Sequence, residues 1–232
     1  MNIEVKVATE QDERFSEAIC EMIEQAAKAR GTGIAKREPE YIRRKIRQGK
    51  AVIAFVDGKL AGFCYIETWE HDRYVANSGL IVNPDFRKMG LAKEIKKTAF
   101  ELSKEKYPTS KMFGITTSLA VMKINAELGY RPVTFSELTQ DEVFWDGCSS
   151  CPNYEILTKN ERKLCLCTGM LYNPAEDKEK SEEASKAETS KTEEKALKAR
   201  WERYKDHLRK RSGNKILQRI MDNLFNKEPI VK

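Results

Sequence analysis

The 232-residue sequence contains no apolar run that approaches the roughly 20 residues of a membrane-spanning helix. Its N-terminus, MNIEVKVATEQDE, also lacks the basic and then apolar layout of a secretory signal peptide. Hydrophobic residues make up 40% of the chain and charged residues 34%, which predicts a globular core under a strongly hydrated surface. We therefore expect a cytoplasmic protein that does not enter a membrane.

The net charge of +6 is unevenly distributed along the chain. Residues 176–200 contain 15 charged residues out of 25, and such a segment buries too little apolar surface to order itself. Residues 201–232 carry nine Lys and Arg against four Asp and Glu, with apolar residues at helical spacing. The sequence thus predicts a domain over residues 1–175, a charged flexible linker over 176–200 and a basic amphipathic helical tail over 201–232. Because its apolar residues need a partner surface, we expect the tail to dock on this domain, on a second copy (a homodimer) or on another protein. Nucleic-acid binding is not expected.

Periodicity predicts an α/β (α+β) fold. Apolar residues recur at helical spacing from Phe15 to Ala26, and Pro39 suits the first turn of a second helix. Asp57-Gly58 between two β-rich runs predicts a hairpin. A long helix follows over residues 90–106, with Leu91, Ile95, Ala99 and Leu102 on the buried side and many Lys and Glu residues outside. Strands are predicted at YVANSGLIV, KMFGITTS, RPVTF and RKLCLCTGML, and a helix at LAVMKINAELGY.

The segment FRKMGLA joins a strand to that long helix. A helix N-terminus presents unpaired backbone N–H groups and partial positive charge, and glycine leaves the backbone open to an anion. The predicted anion-binding residues are Arg87, Lys88, Met89, Gly90, Leu91 and Ala92. The segment matches neither a P-loop nor a dinucleotide-binding glycine motif. The alternative is an ordinary strand–turn–helix corner that happens to be basic.

The order of elements and the Arg-x-x-Gly-x-Ala loop resemble the GCN5-related N-acetyltransferase (GNAT) superfamily over about residues 3–172, and LGYRPV resembles its Leu-Gly-Phe/Tyr segment. The resemblance implies a mixed, mostly antiparallel sheet flanked by helices. It also implies that residues 87–92 bind the pyrophosphate of acetyl-CoA, and that a backbone N–H near Ile81 and Val82 stabilises the oxyanion.

Three stretches resemble N-acetylglutamate synthases more specifically: ARGTGIAKREPEYIRRKI, LIVNPDFRKMGLA and TTSLAVMKINAELGYRPVTFSELTQDEVF. The chain resembles the short type, which has no amino-acid-kinase-like domain. This resemblance implies acetyl transfer from acetyl-CoA to the α-amine of glutamate, in arginine biosynthesis. Arg37 lies near the family's substrate arginine and is the candidate partner of a substrate carboxylate; the alternative is a surface arginine.

The resemblance leaves the catalytic acid and base open. The family's glutamate on the strand before the loop corresponds to Ala76, so we name Glu67 as the candidate base, with Glu70 and His71 as alternatives. The family's usual tyrosine acid corresponds to Asn125, which cannot protonate a thiolate. Solvent would then complete the step, unless the neighbouring Tyr130 replaces the missing acid.

Four cysteines follow the predicted acyltransferase segments in the pattern C-x2-C, 13 residues, C-x-C. Two thiolates from a knuckle and two from one face of a strand suit a tetrahedral zinc ion. Cys148, Cys151, Cys165 and Cys167 are therefore predicted to bind a structural zinc. The alternative is four unligated thiols with ordinary packing roles.

Three other functions stay open at this point. One is transfer from succinyl-CoA instead of acetyl-CoA, and another is transfer to a protein or to a different small amine. The third is a non-catalytic module that binds CoA. An anionic acceptor is favoured because Arg37 and its neighbours are cationic, whereas a polyamine would need an acidic pocket.

Overall fold

The computed structural model describes residues 1–31, 36–179 and 195–203. By contacts the chain divides into two units, Met1–Asp177 and Lys178–Lys232. Residues 195–203 are helical. Most of the predicted tail, residues 204–232, lies outside the described residues, as does 180–194 of the predicted linker. The proposed limits of domain, linker and tail therefore stay predictions.

The first unit is built on one seven-stranded sheet with the strand order β1-β2-β3-β4-β5-β7-β6. Every neighbouring pair is antiparallel except β4 and β5, which are parallel. The strands are β1 Ile3–Val7, β2 Ala51–Val56, β3 Lys59–Trp69, β4 Tyr74–Val82, β5 Lys111–Thr116, β6 Arg131–Val133 and β7 Thr168–Tyr172.

Helices flank this sheet, which confirms the mixed, mostly antiparallel α/β fold predicted above. They are α1 Ser16–Arg30, α2 Pro39–Arg47, α3 Leu91–Lys106, α4 Leu119–Glu127, α5 Glu142–Asp146 and α6 Tyr154–Lys159. None of the helices in the described ranges is long and apolar enough to cross a membrane.

The alternation of side chains along β2 shows how the two faces of the sheet are covered. Val52, Ala54 and Val56 belong to the core that includes α3, whereas Ala51, Ile53 and Phe55 belong to the core that includes α1 and α2. Because successive side chains of a strand point to opposite faces, a strand that is buried throughout contributes to both cores. The site described below lies where these layers meet the end of β4.

Two predicted boundaries follow directly from local chemistry. Pro39 occupies the first turn of α2, where its missing N–H costs nothing. Asp57 and Gly58 have φ angles of 48° and 76°, as the two central residues of a tight hairpin turn require. The hairpin between β2 and β3 and the start of α2 are thus confirmed.

Other predicted boundaries were wrong. The last strand does not cover RKLCLCTGML: β7 begins only at Thr168, so Cys165 and Cys167 precede it. The strand predicted at RPVTF ends at Val133, and a 3-10 turn begins at Phe135. Helices α5 and α6 had no clear periodic signal. Residues 135–167, called the cap below, contain them and bury Trp145 and Leu157 against the sheet end.

The most important feature for function is the divergence of β4 and β5. Their ladder consists of three pairs and ends where Ala76 faces Phe113. Beyond Ala76, β4 continues to pair with β3, and β5 continues to pair with β7. Asn77–Val82 therefore have no strand partner on the β5 side among the described residues, and the sheet opens there.

Candidate active site

A cleft of about 700 Å³ occupies the opening between β4 and β5. Its walls come from β4 (Asn77 to Ile81), β5 and the following turn (Gly114 to Thr117), and α4 (Val121 and Asn125). The cap closes one side with Phe144, Trp145 and Tyr154. The opposite side is formed by the residues that begin α2 and by the end of β3.

A bulge in β4 shapes the wall of this cleft. Tyr65 pairs with Ser78, but Phe63 pairs with Ile81, so β4 has one extra residue between these pairs. Gly79 takes up the irregularity with a φ of +65°, and a Cβ there would lie 2.5 Å from the Tyr65 ring. The structure thus requires glycine at position 79, because its φ is positive and the Tyr65 ring leaves no room for a Cβ.

The predicted anion-binding loop follows β4. Asn83 accepts a hydrogen bond from the backbone N–H of Asp85, which fixes the turn that leads out of the strand. Gly90 is the N-cap of α3 with a φ of +81°, and a Cβ on it would meet nothing within 4 Å. The glycine is therefore required by its conformation, and the space beside it is open.

The backbone N–H groups of residues 88–92 donate to no protein acceptor within the described part of the chain. Lys88 has a φ of +66°, so two left-handed residues, Lys88 and Gly90, curve this stretch. Free N–H groups at the start of a 16-residue helix, with the exposed side chains of Arg87 and Lys88 nearby, form an anion-binding concavity. This geometry suits the anion-binding role predicted for the loop. The identity of the anion stays a proposal.

The opposite end of the cleft carries a carboxylate held by two side chains of α2. Glu67, on β3, lines the cleft and is mostly buried, with 18% of its side chain exposed. Tyr41 donates a hydrogen bond to Glu67 Oε2, and Lys45 Nζ lies 2.5 Å from Oε1. Tyr41 and Lys45 are four residues apart and so share one face of the helix. The cluster fixes the carboxylate at the wall of the cleft.

Burial determines the protonation of these partners. Burial, followed by the nearby Tyr65 and Glu67, raises the pKa of Tyr41, so this phenol is neutral and donates. Burial lowers the pKa of Lys45, and the hydrogen bond to Glu67 opposes that shift. Glu67 pairs directly with Ala76 across the ladder. Glu67 thus places a carboxylate on the strand adjacent to Ala76.

Cationic side chains surround this carboxylate. Arg37 donates through Nε to the hydroxyl of Tyr65 at 2.8 Å, and its guanidinium lies 5.4 Å from the centre of the Tyr41 ring. The guanidinium of Arg44 lies 5.2 Å from the same ring. Within the described residues, neither arginine has a carboxylate within 4 Å. Both line the cleft and are available to an anionic ligand.

The other predicted catalytic residues are separated by the structure. Asn125 lines the cleft and is 1% exposed. Glu70 instead accepts hydrogen bonds from Thr139 Oγ1 and the Gln140 backbone, so it fastens the cap. His71 is exposed beside a different, smaller cavity. Among the alternatives, only Glu67 is in the cleft.

Ile81 lines the cleft, whereas neither Val82 nor residues 87–92 are among the described residues that line it. Val82 lies one residue further along β4, next to the turn that leads to the loop. The cleft and the anion-binding loop are therefore separate, and they follow one another along β4 and the turn after it.

Two buried polar atoms in the cleft lack a hydrogen-bond partner in the described structure: Asn125 Oδ1 and Trp69 Nε1. An unsatisfied buried polar group costs about 1–3 kcal/mol. One of these atoms is an acceptor and the other a donor. A ligand with amide and carboxylate groups would satisfy both.

The four cysteines of the cap also line the cleft. They lie close enough for the thiols to raise one another's pKa: burial first, then Cys151 and Cys165, raises that of Cys148 to about 11. However, no group of three or more His, Cys, Asp or Glu side chains in the described ranges is arranged to hold a metal ion. The strand that was to carry two of the thiols begins after them. The structure thus gives no support to the predicted zinc site.

Sequence reasoning missed several residues of the cleft, notably Tyr41, Asn77 and Lys96. Tyr41 and Lys45 carried a signal, since two polar residues four apart on the buried side of a helix predict a shared partner. The periodicity of α3 did not single out Lys96, which is 2% exposed. Tyr130, the candidate replacement acid, donates to Asn77 Oδ1 at 3.1 Å.

The sheet thus opens between two parallel strands, beside a helix N-terminus whose N–H groups have no acceptor among the described residues. Residues 17–120 match the family model described as "Acetyltransferase (GNAT) family". This match supports membership of the GNAT superfamily over residues 17–120, as the loop and the order of elements indicated. No curated protein matches the sequence.

Solved structures show the same fold at low sequence identity. The N-acetylglutamate synthase from Neisseria gonorrhoeae complexed with coenzyme A and N-acetyl-glutamate has a TM-score of 0.52 and 16% identity. That match covers 75% of this chain and 35% of the synthase, so this chain spans about a third of its length.

Two further matches cover nearly the whole of the other chain. Rv2747 from Mycobacterium tuberculosis, in complex with CoA and NLQ, has a TM-score of 0.52 and 15% identity over 73% of this chain and 98% of its own. The protein yncA from Salmonella typhimurium, with its cofactor acetyl-CoA, has a TM-score of 0.52 and 14% identity over 75% and 95%.

Proposed function

We propose that this acetyltransferase moves an acyl group from acetyl-CoA to the α-amine of glutamate. The observation that carries the proposal is the succession of a cleft and an anion-binding loop along β4 and its exit. The loop presents backbone N–H groups at residues 88–92 that have no acceptor among the described residues. The cleft presents two arginines that have no carboxylate partner in the described ranges, and the mostly buried Glu67. The similar structures that contain CoA, acetyl-CoA or N-acetyl-glutamate support this choice of ligands.

The donor end fits the polar groups of coenzyme A. The diphosphate would accept hydrogen bonds from the N–H groups of residues 88–92, with Arg87 and Lys88 adding charge. The pantetheine amides would lie along the unpaired edge of β4 between Asn77 and Ile81. This edge offers backbone donors and acceptors in the spacing of a strand. Asn125 Oδ1, which is buried without a partner, suits one amide N–H.

The acceptor end fits a small dicarboxylate amine. Arg37 and Arg44 supply guanidinium groups for carboxylates, and Trp69 Nε1 supplies a further donor. Glu67 is positioned to accept the proton of the amine before or during attack. A cationic acceptor such as a lysine side chain or a polyamine would face these arginines and is disfavoured.

The chemical sequence follows from these positions. The amine attacks the thioester carbonyl, its proton passes to Glu67, and the carbonyl oxygen becomes an oxyanion. A backbone N–H of the bulged strand near Ile81 would stabilise that oxyanion. The carbonyl then re-forms, the carbon–sulfur bond breaks with its electron pair on sulfur, and coenzyme A thiolate leaves the amide product. Tyr41 and Lys45 keep the carboxylate of Glu67 in one orientation throughout.

The test is thiol release from acetyl-CoA with a panel of acceptors. We expect turnover with glutamate to exceed that with glutamine, lysine and spermidine, because only glutamate offers two carboxylates. Equal rates for glutamate and glutamine would remove the dicarboxylate assignment. Turnover with lysine or a protein N-terminus alone would assign a different acceptor class. Succinyl-CoA tested beside acetyl-CoA reports the donor.

A structural zinc is a separate hypothesis, carried by cysteine spacing. If it is correct, protein purified without chelator contains roughly one zinc per chain, and Cys148→Ser lowers that content. Elemental analysis that finds no metal in such protein would remove the hypothesis without affecting the acyltransferase proposal.

A further inference from the structure

Lys96 is a fully buried lysine that faces the middle of the cleft. It lies on α3, five residues after the helix begins, and is 2% exposed. Its Nζ donates to Asn77 Oδ1 at 3.1 Å, and both residues line the cleft. Its helix neighbours Ile95 and Ala99 belong to the apolar core. A charged group in this position requires an explanation.

No carboxylate among the described residues forms an ion pair with Lys96. The titratable groups that face it are Cys64 from β3 and Tyr130 from the turn after α4. Burial raises the pKa of the Cys64 thiol to about 11 and that of the Tyr130 phenol well above its ordinary value. Both are therefore neutral near pH 7, and the ammonium has no anionic partner in the described structure.

A buried ammonium without a counter-ion is costly, because burial removes its hydration. A ligand that develops negative charge beside it recovers part of that cost during the reaction. Lys96, hydrogen-bonded to Asn77 on β4, and the buried Asn125 on α4 both line the cleft. The group that develops charge in acyl transfer, besides the oxyanion, is the leaving sulfur.

The position of that sulfur follows from length, if coenzyme A binds as proposed above. The pantetheine arm has the backbone length of about four extended residues, roughly 14 Å. Counted back along β4 from its exit, four residues lead from Ile81 to Asn77. An arm that enters the cleft at Ile81 and extends along this edge therefore ends near Asn77, which accepts a hydrogen bond from the Lys96 ammonium.

We propose that Lys96 is the catalytic acid that protonates the leaving thiolate of coenzyme A. When the carbon–sulfur bond breaks, its electron pair stays on sulfur, and a proton passes from Lys96 Nζ to sulfur. Free coenzyme A thiol and a neutral lysine result. Lys96 then regains a proton from solvent, while Glu67 releases to solvent the proton that it took from the amine. The inference rests on the proposed acyl-CoA reaction.

This assignment accounts for Asn125, which replaces the family's usual acid and cannot donate a proton to the thiolate from its carbonyl oxygen. The assignment is also consistent with the acidities of Lys96 and of the leaving thiol. Burial lowers the pKa of Lys96 to about 8, close to the ordinary pKa of a thiol, about 8.5. An acid and a leaving group that are matched in this way exchange a proton efficiently near neutral pH.

A purely structural role is the competing explanation. Lys96 would then serve only to hold Asn77, which also accepts from Tyr130 and donates to Ser103. Lys96→Met keeps the length of the side chain, removes the charge and leaves these other bonds in place. The exposed Lys97 of the same helix provides the control, Lys97→Met.

The decisive measurement is the ionisation of the bound thiol. Coenzyme A is saturated with protein, and its thiolate absorbance is followed from about pH 6 to pH 10, with S-methyl-CoA as the blank. In the wild-type protein and Lys97→Met, we expect the bound thiol to ionise at least about one pH unit lower than in Lys96→Met. A fall in kcat of about a hundredfold in Lys96→Met, with the KM for acetyl-CoA little changed, is the kinetic counterpart.

The outcomes separate this inference from the proposed function. Equal thiol ionisation in the wild type and Lys96→Met, with both binding coenzyme A, overturns the role of Lys96 and leaves the acyl-CoA site intact. No binding of coenzyme A to the wild-type protein overturns the proposed function itself. Circular dichroism and thermal unfolding show whether Lys96→Met retains the fold.

Discussion

The two ends of the proposed active site are built in different ways. The proposed donor end uses consecutive backbone groups, residues 88–92, whose N–H groups have no acceptor among the described residues because they precede and begin a helix. The acceptor end uses side chains from separate segments, with Glu67 on β3 held by Tyr41 and Lys45 on α2. A backbone site can be recognised from a short motif, whereas a side-chain site exists only after the chain has folded.

The largest effect is expected at the acceptor end. Glu67→Gln keeps the shape but removes the base, and kcat should fall about 10²–10³-fold with the KM for acetyl-CoA unchanged. Glu105→Gln, an exposed position on α3, is the control. Steady-state thiol release measures both. A fall of less than about threefold for Glu67→Gln would assign proton removal to solvent or to another group.

The burial of Lys96 should make the free energy of unfolding depend on pH. The pKa of Lys96 is lowered to about 8 in the folded protein from an ordinary value of 10.5. The unfolded chain therefore binds more protons, and the cost of burial is present in full below about pH 8 and disappears as pH rises to about 10.5. Urea unfolding should show up to about 3 kcal/mol more stabilisation over this range in the wild type than in Lys96→Met. If the free energy of unfolding changed equally with pH in the wild type and Lys96→Met, the lowered pKa of Lys96 would be contradicted.

At the donor end, Gly90→Glu places a carboxylate in the open space beside the free N–H groups. We expect the Kd for coenzyme A to rise about a hundredfold, roughly 2.7 kcal/mol. Gly58→Glu is the matched control, since Gly58 also has a positive φ and open space but lies in the distant hairpin. Calorimetry that gives equal affinities for the two variants would place the diphosphate elsewhere.

The smallest effect concerns the choice of acceptor. Arg37→Gln should raise the KM for glutamate about tenfold, because one guanidinium–carboxylate pair is lost, and should leave the KM for acetyl-CoA unchanged. Arg47→Gln on α2, whose guanidinium is paired with Glu13 away from the cleft, serves as the control. A change in the KM for acetyl-CoA instead would show that Arg37 belongs to the donor end.

The contrast between the ends also explains what the sequence could predict. The fold, the hairpin at Asp57-Gly58 and the loop around Gly90 carry local signals, and each is where it was expected. The cap was missed because α5 and α6 have five and six residues. Helices this short are stabilised by tertiary packing, here around Trp145, and not by their own periodicity.

The cluster of Glu67 with Tyr41 and Lys45 could not be derived from the sequence, since it depends on how α2 lies on β3. Lys96 could not be singled out for a related reason. Periodicity assigned α3 one apolar face, but the opening of the sheet at Asn77 places a polar contact for Lys96 within that face.

The central claim is that the N–H groups of residues 88–92 bind the diphosphate of coenzyme A. Amide chemical shifts and hydrogen exchange of these residues, measured by NMR with coenzyme A and with pantetheine, test it directly. The account predicts slower exchange and large shifts at residues 88–92 with coenzyme A, and little change there with pantetheine, which has no diphosphate. Unchanged amides at these five residues in the presence of saturating coenzyme A would contradict it.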